Sequence, residues 1–283
     1  MNIKATMAAA AEIRKLTILS MASAGYGHIG GSMSICDVLA VLYMDIMNVD
    51  PNNSKKADRD WLVLSKGHCG PALYAALAYK GYFPREELMT LNADGTKLPS
   101  HCDRLKTNGV DISTGSLGQG ISLAAGVALG NRMQCIDSMA YAILGDGELQ
   151  EGQNWEAFQF IAHWQLNNLV VIIDNNRRQL DGYTKEICDP LDLRSKLMSF
   201  GLRVLEANGH DVREIYMVLC KARQSSAAAI QPTAVILNTI KGYGCNFAEI
   251  DGFNHYMAVT PQMAVSAIAE IDRKLEERYA FLG

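Results

Sequence analysis

Two short segments carry most of the chemistry that this sequence can offer. Leu144-Gly145-Asp146-Gly147-Glu148 and Ile173-Asp174-Asn175-Asn176-Arg177-Arg178 each close a run of aliphatic residues suited to a buried strand. Asp146 and Asn176 lie 30 residues apart, the length of one strand–helix–strand crossover. Both should therefore emerge at the same edge of a sheet, close to each other. A carboxylate, an amide oxygen and a nearby backbone carbonyl are hard oxygen donors suited to Mg2+ or Ca2+. Gly147 permits close backbone approach, and the N-terminus of a following helix favours an anion. Either segment alone would read as an ordinary strand-ending turn. The pair, on consecutive strands, points to a metal-bridged diphosphate site.

Histidines form the second group. His28, His68 and His101 sit in loops marked by glycine or proline rather than inside apolar stripes. Imidazoles titrating near neutrality can move protons and hydrogen-bond hydroxyl groups. His163 falls within a helical stretch and His210 in an Asn-Gly-His turn, so both read as structural. Lys241, in Lys241-Gly242-Tyr243-Gly244, is a candidate cation beside the diphosphate. The seven cysteines are odd in number and include no CxxC pair, which fits reduced thiols. His68-Cys69 and His101-Cys102 lack the ligand spacing of a zinc site.

The elements that must position these residues alternate regularly. A helix over 5–24 is closed by Gly25, and a glycine-rich loop covers 25–31. Ser34 is expected as the N-cap of the next helix, with Asp37 completing a capping box. Strands are expected at 61–65, 139–144, 169–174, 202–206 and 233–239. Helices are expected at 70–80, from 115–120 to 132, and at 150–164, 190–200 and 211–225. Thr260 and Pro261 begin a final helix. Continuous apolar strands separated by helices predict an α/β fold: one domain, 1–283, with a parallel sheet covered by helices on both faces.

Composition excludes several classes. The 283 residues are 49% hydrophobic and 20% charged, too apolar for disorder, with a net charge of −4 that argues against nucleic acid as a partner. The longest uncharged stretches, 16–36 and 112–131, are too rich in glycine and serine for membrane spans. No signal peptide is visible at the N-terminus, and the cytoplasm is the expected location.

Gly145-Asp146-Gly147, with Asn175-Asn176 following, resembles the thiamine-diphosphate motif. Around it the chain resembles the N-terminal half of a transketolase. The supporting pieces run in order: Gly27-His28-Ile29-Gly30-Gly31-Ser32, Leu64-Ser65-Lys66-Gly67-His68, Thr114-Gly115-Ser116-Leu117-Gly118-Gln119-Gly120, Gly145-Asp146-Gly147-Glu148-Leu149-Gln150-Glu151-Gly152 and Asp181-Gly182. The resemblance implies that Asp146, the Asn176 side chain and the Arg178 carbonyl bind Mg2+, with Ca2+ or Mn2+ as substitutes. It places Gly147, His68 and His255 at the cofactor diphosphate, where Lys241 is the candidate cation, and counts Glu148 among the cofactor-binding residues. Gly115 and Leu117 fall near the aminopyrimidine, with Leu180 packing on the cofactor rings. His28, His101 and His255 become the catalytic residues lining the substrate channel, and Glu151 falls at the contact between subunits.

The implied reaction moves a two-carbon ketol unit from a ketose, or its phosphate, to an aldose. A proton must leave the donor hydroxyl and return to the acceptor carbonyl oxygen, which suits imidazoles. The family usually has proline after the first two channel histidines and glycine after the third. Here those positions hold Ile29, Cys102 and Tyr256. The family's pyrimidine-binding and C-terminal domains are expected on a separate subunit, giving a heterotetramer that is inactive without it. The alternatives are a deoxyxylulose-phosphate-synthase type, the α chain of a 2-oxo acid dehydrogenase, or a non-catalytic binding subunit. The histidines and Ser116-Leu117-Gly118-Gln119-Gly120 favour transketolase.

Overall fold

The computed structural model describes residues 1–227, 231–250 and 254–280. Its centre is a five-stranded sheet of order β2-β3-β4-β6-β5, parallel throughout. The strands are β2 (Trp61–Leu64), β3 (Ala140–Gly145), β4 (Leu169–Asn175), β5 (Arg203–Asn208) and β6 (Thr233–Asn238). A separate antiparallel pair joins β1 (Tyr26–Gly27) to β7 (Met257–Ala258). The helices are α1 (Ile3–Ala24), α2 (Ile29–Ser34), α3 (Cys36–Val41), α4 (Gly70–Lys80), α5 (Gly120–Met133), α6 (Gln153–His163), α7 (Thr184–Ile187), α8 (Leu193–Ser199), α9 (Val212–Ala227), α10 (Asn246–Ile250) and α11 (Pro261–Ala280).

Alternation along the central strands explains why both faces are covered. Tyr141, Ile143, Val170, Ile172 and Val235 join a core with α1, α3, α4, α9 and α11. Ala140, Ala142, Leu144, Val171 and Ile173 point the other way, into a core with α5, α6 and α8. The small residues of α5 let it approach the sheet closely. A Cβ on Gly120 would fall 2.6 Å from the Ser65 Cα, so no larger residue fits there. Among the described residues, no helix is long and apolar enough to cross a membrane.

The first helices depart from expectation. Residues 29–34 are already helical, and Ser34 ends α2 instead of capping the next helix. Its hydroxyl donates to Asp174 Oδ2 at 2.6 Å, a partner 140 residues away. A buried carboxylate in need of donors outweighs a local cap. Thr260 does cap α11, accepting from the Met263 amide at 3.2 Å.

Asp37 likewise does not close a capping box. Its buried carboxylate receives Arg14 Nη2 at 2.5 Å and His210 Nδ1 at 3.0 Å. His210 Nε2 accepts from the Ile240 amide at 2.8 Å, so the ring is neutral with its proton on Nδ1, a structural role as expected. Burial alone would raise the Asp37 carboxyl, but the Arg14 charge and these hydrogen bonds hold it at about 2. Stability from this group is complete above about pH 4, where the unfolded carboxyl ionises, and is lost as pH falls toward 2. Replacing Asp37 with alanine strands the buried Arg14 charge. Urea unfolding should show a loss of about 3–5 kcal/mol.

Candidate active site

The carboxyl ends of the central strands open into one cleft of about 280 Å3. Register explains the meeting of its first two residues. Gly145 pairs with Asp174, so Asp146 and Asn176 lie just beyond the ends of adjacent strands. Asp146 Oδ2 accepts from the Arg177 amide at 2.7 Å, while its Oδ1 is buried without a partner among the described residues. Arg177 adopts a left-handed conformation (φ 62°), unusual for a side chain of its size. Asn176 Nδ2 donates to Asp174 Oδ2 at 2.8 Å, which fixes the orientation of the amide. Its Oδ1 accepts from the Arg178 amide at 3.0 Å and retains a second lone pair.

Burial, and then the neighbouring Asp174 charge, raise the Asp146 carboxyl to about 7. An orphaned carboxylate oxygen in a strained, negatively charged corner fits a divalent cation. Asp146 and Asn176 both line the cleft with side-chain oxygens, and Arg178 lines it too.

Two lysines oppose this acidic corner. Lys66 Nζ is buried, pairs with Asp174 Oδ2 at 2.5 Å and donates to the Gly31 carbonyl at 3.0 Å. Lys241 is 4% exposed and forms no ion pair among the described residues. Its Nζ donates to the Gln179 carbonyl at 2.9 Å and lies 3.3 Å from His255 Nδ1. Burial, then the Lys66 charge, lower it to about 8. A buried lysine without a carboxylate suits an anion that would offset its charge.

The expected channel histidines come together at the mouth. The His28 ring centre lies 5.4 Å from that of His68, 5.5 Å from His101 and 5.3 Å from His255. His68 and His255 are 4.8 Å apart. Burial lowers all four. The His101 charge and then Lys241 take His28 further, to about 4, and Lys241, His28 and Lys66 take His255 to about 3. At neutral pH these imidazoles are therefore neutral, each with one donor and one acceptor nitrogen. His68 and His255 line the cleft, while His28 and His101 lie outside that lining, packed beside it.

The remaining expected residues divide. Leu117, Gly147, Glu151 and Leu180 line the cleft, with Leu180 59% exposed. Gly115 lies outside that lining and packs against His101, where an added Cβ would come 3.1 Å from the ring. Glu148 borders the cleft, but its carboxylate accepts from the Ser65 hydroxyl and from the Gly118 and Gly145 amides. Lys66, Asp174, Gln150 and Gln179 are not singled out by sequence pattern. Only the position of Lys66 directly after a buried strand signals it.

A family model described as the thiamine diphosphate binding domain of transketolase matches residues 5–261. The chain belongs to this family. It is 49% identical over 263 residues to a 6-deoxy-6-sulfo-D-fructose transketolase subunit of a Clostridium species, covering 93% of this chain and 94% of the relative. It is 39% identical to one of the apulose-4-phosphate transketolase subunits of Actinobacillus succinogenes, covering 83% and 84% respectively. A Pichia stipitis transketolase crystal structure matches with a TM-score of 0.87 and 29% identity over 95% of this chain. The chain spans 40% of the length of that solved transketolase.

The depressed histidines set a pH signature for this transketolase domain. The unfolded chain protonates near 6.5, while folded His28 and His255 resist until about 4 and 3. Stability on their account is complete above about pH 6.5 and falls as pH drops toward 4. Thermal midpoints of the cofactor-free chain should decline across that window. A His28→Asn, His255→Asn double variant should flatten the decline.

Proposed function

We propose that this chain is the diphosphate-binding subunit of a split transketolase, completed by a separate subunit carrying the pyrimidine-binding half. One observation carries the reading. A single cleft brings an orphaned Asp146 oxygen and an uncompensated Lys241 together with the neutral imidazoles of His68 and His255, and His28 and then His101 pack beside them. The match along nearly the whole of relatives named as subunits, against 40% of a full transketolase, supports the division between two chains. We place the assembly in the cytoplasm as a heterotetramer, with Glu151 at the subunit contact.

When bound, thiamine diphosphate would supply the nucleophilic carbon for ketol transfer. The side chains of Asp146 and Asn176 and the Arg178 carbonyl would hold Mg2+, or another hard divalent cation in its place. Lys241, with Lys66 behind it, offsets the diphosphate charge, and His68 and Gly147 border it. Leu117 and Leu180 offer apolar surface to the cofactor rings. His28, His101 and His255 accept the donor hydroxyl proton and return it to the acceptor oxygen. Their depressed pKa values leave them unprotonated at neutral pH.

The relatives' names specify a sulfonated ketose and a phosphorylated one. A ketose with an anionic end group is therefore the donor class proposed here, with an aldose or its phosphate as acceptor.

With its partner, the chain should transfer ketol units from such donors and show no turnover of pyruvate. Full ketol transfer by the isolated chain would overturn the split. Alanine at His101 should lower kcat/KM roughly 100- to 10,000-fold in the assembled enzyme. Asp146→Asn is nearly isosteric and should leave the thermal midpoint intact or raise it. In calorimetric titration it should weaken Mg2+-dependent cofactor binding by more than the roughly 10- to 100-fold typical of an outer-shell change. Undiminished affinity would refute the cation assignment.

A further inference from the structure

The β1–β7 ladder pairs Tyr26 with Ala258 and Gly27 with Met257. Carried one residue further, the register sets His28 opposite Tyr256, with Tyr26 diagonal to it on the same face. The rings bear this out. Tyr256 meets His28 edge-on at 4.8 Å, and Tyr26 lies 5.6 Å from Tyr256. The two tyrosines are 40% and 48% exposed, at Tyr26 and Tyr256 respectively, large rings packed on a histidine cluster rather than in a core. No hydrogen bond among the described residues engages either hydroxyl.

Exposure orders the channel. Asp146 and Lys66 are buried at its floor, and His68, His255 and His28 are half-buried above them. His101, Tyr26 and Tyr256 are exposed at the rim. His28 packs on His68 and His255 of the cleft lining, so a ketose whose carbonyl reaches a cofactor in the cleft can extend the rest of its carbon chain outward past His28. That path ends against the two phenols.

We propose that Tyr256, backed by Tyr26, is a specificity-determining residue that grips the polyol chain of the ketose beyond the transferred two-carbon unit. Its ring face takes the C–H edge of the chain, and its hydroxyl both donates to and accepts from sugar hydroxyls. Among the described residues, no hydrogen bond, ion pair or cation–ring contact joins Tyr256 to a charged side chain. The wall reads the neutral polyol and leaves the anionic end group to other contacts. This inference rests on the ketol-transfer reading.

The test compares two donors in the enzyme assembled with its partner subunit. Hydroxypyruvate is too short to reach the rim, whereas fructose 6-phosphate extends past it. Tyr256→Ala should raise KM for fructose 6-phosphate about tenfold with kcat little changed, and leave hydroxypyruvate kinetics within about twofold. Tyr256→Phe keeps the ring and should stay within about threefold of the unsubstituted enzyme for both donors. An unchanged KM for the long donor in Tyr256→Ala, or equal losses for both donors, would overturn the proposal alone. Turnover of neither donor by the unsubstituted assembly would overturn the ketol-transfer reading with it.

Discussion

The arrangement of the site depends on one buried carboxylate. Asp174, at the end of β4, accepts from Lys66 after β2, Ser34 at the end of α2, Thr239 after β6 and its near neighbour Asn176. Burial would raise its pKa, but the Lys66 charge and these donors hold it below the ordinary value. An ionised group so enclosed must keep all its partners, because each one lost exposes an uncompensated charge. The constraint therefore fixes three strand ends and the first glycine-rich segment relative to one another. It also turns Asn176 so that its amide oxygen is available to a cation.

The charges left over define what the cleft can receive. Lys66 and Asp174 neutralise each other, leaving Asp146 and Lys241 as a carboxylate and an ammonium without ion-pair partners among the described residues. On the proposed reading a divalent cation would answer the first and a diphosphate the second, two ligands that attract each other. Burial perturbs both groups toward neutrality, Asp146 upward and Lys241 downward. Burial, then Lys241 with His28 and Lys66, depress His255, and burial, then His101 and Lys241, depress His28, so both imidazoles stay neutral at neutral pH.

Much of this was legible in sequence because its causes are local. Continuous apolar runs required strands buried on both sides, and the 30-residue step from Asp146 to Asn176 placed both at one edge. Glycine- and proline-marked loops separated His28, His68 and His101 from the core stripes, and resemblance added His255. The capping pattern at Ser34 and Asp37 misled for a physical reason. Both side chains answer buried groups far away in sequence, Asp174 in one case and Arg14 with His210 in the other. A local pattern carries no information about such partners. Lys66 gives little local signal for the same reason, since its carboxylate lies 108 residues away.

The sequence by itself determined the α/β alternation, the parallel sheet and the candidate metal and channel residues, because spacing and patterning act over a few residues or one crossover. Only the tertiary structure decided their electrostatic state and their neighbours. It left Asp146 Oδ1 unpartnered among the described residues, enclosed Lys241 without a counterion there, and brought Tyr256 against His28. Those outcomes depend on which distant groups share a low-dielectric interior, and they arise only when the sheet, the helices and the β1–β7 pair close around the same cleft.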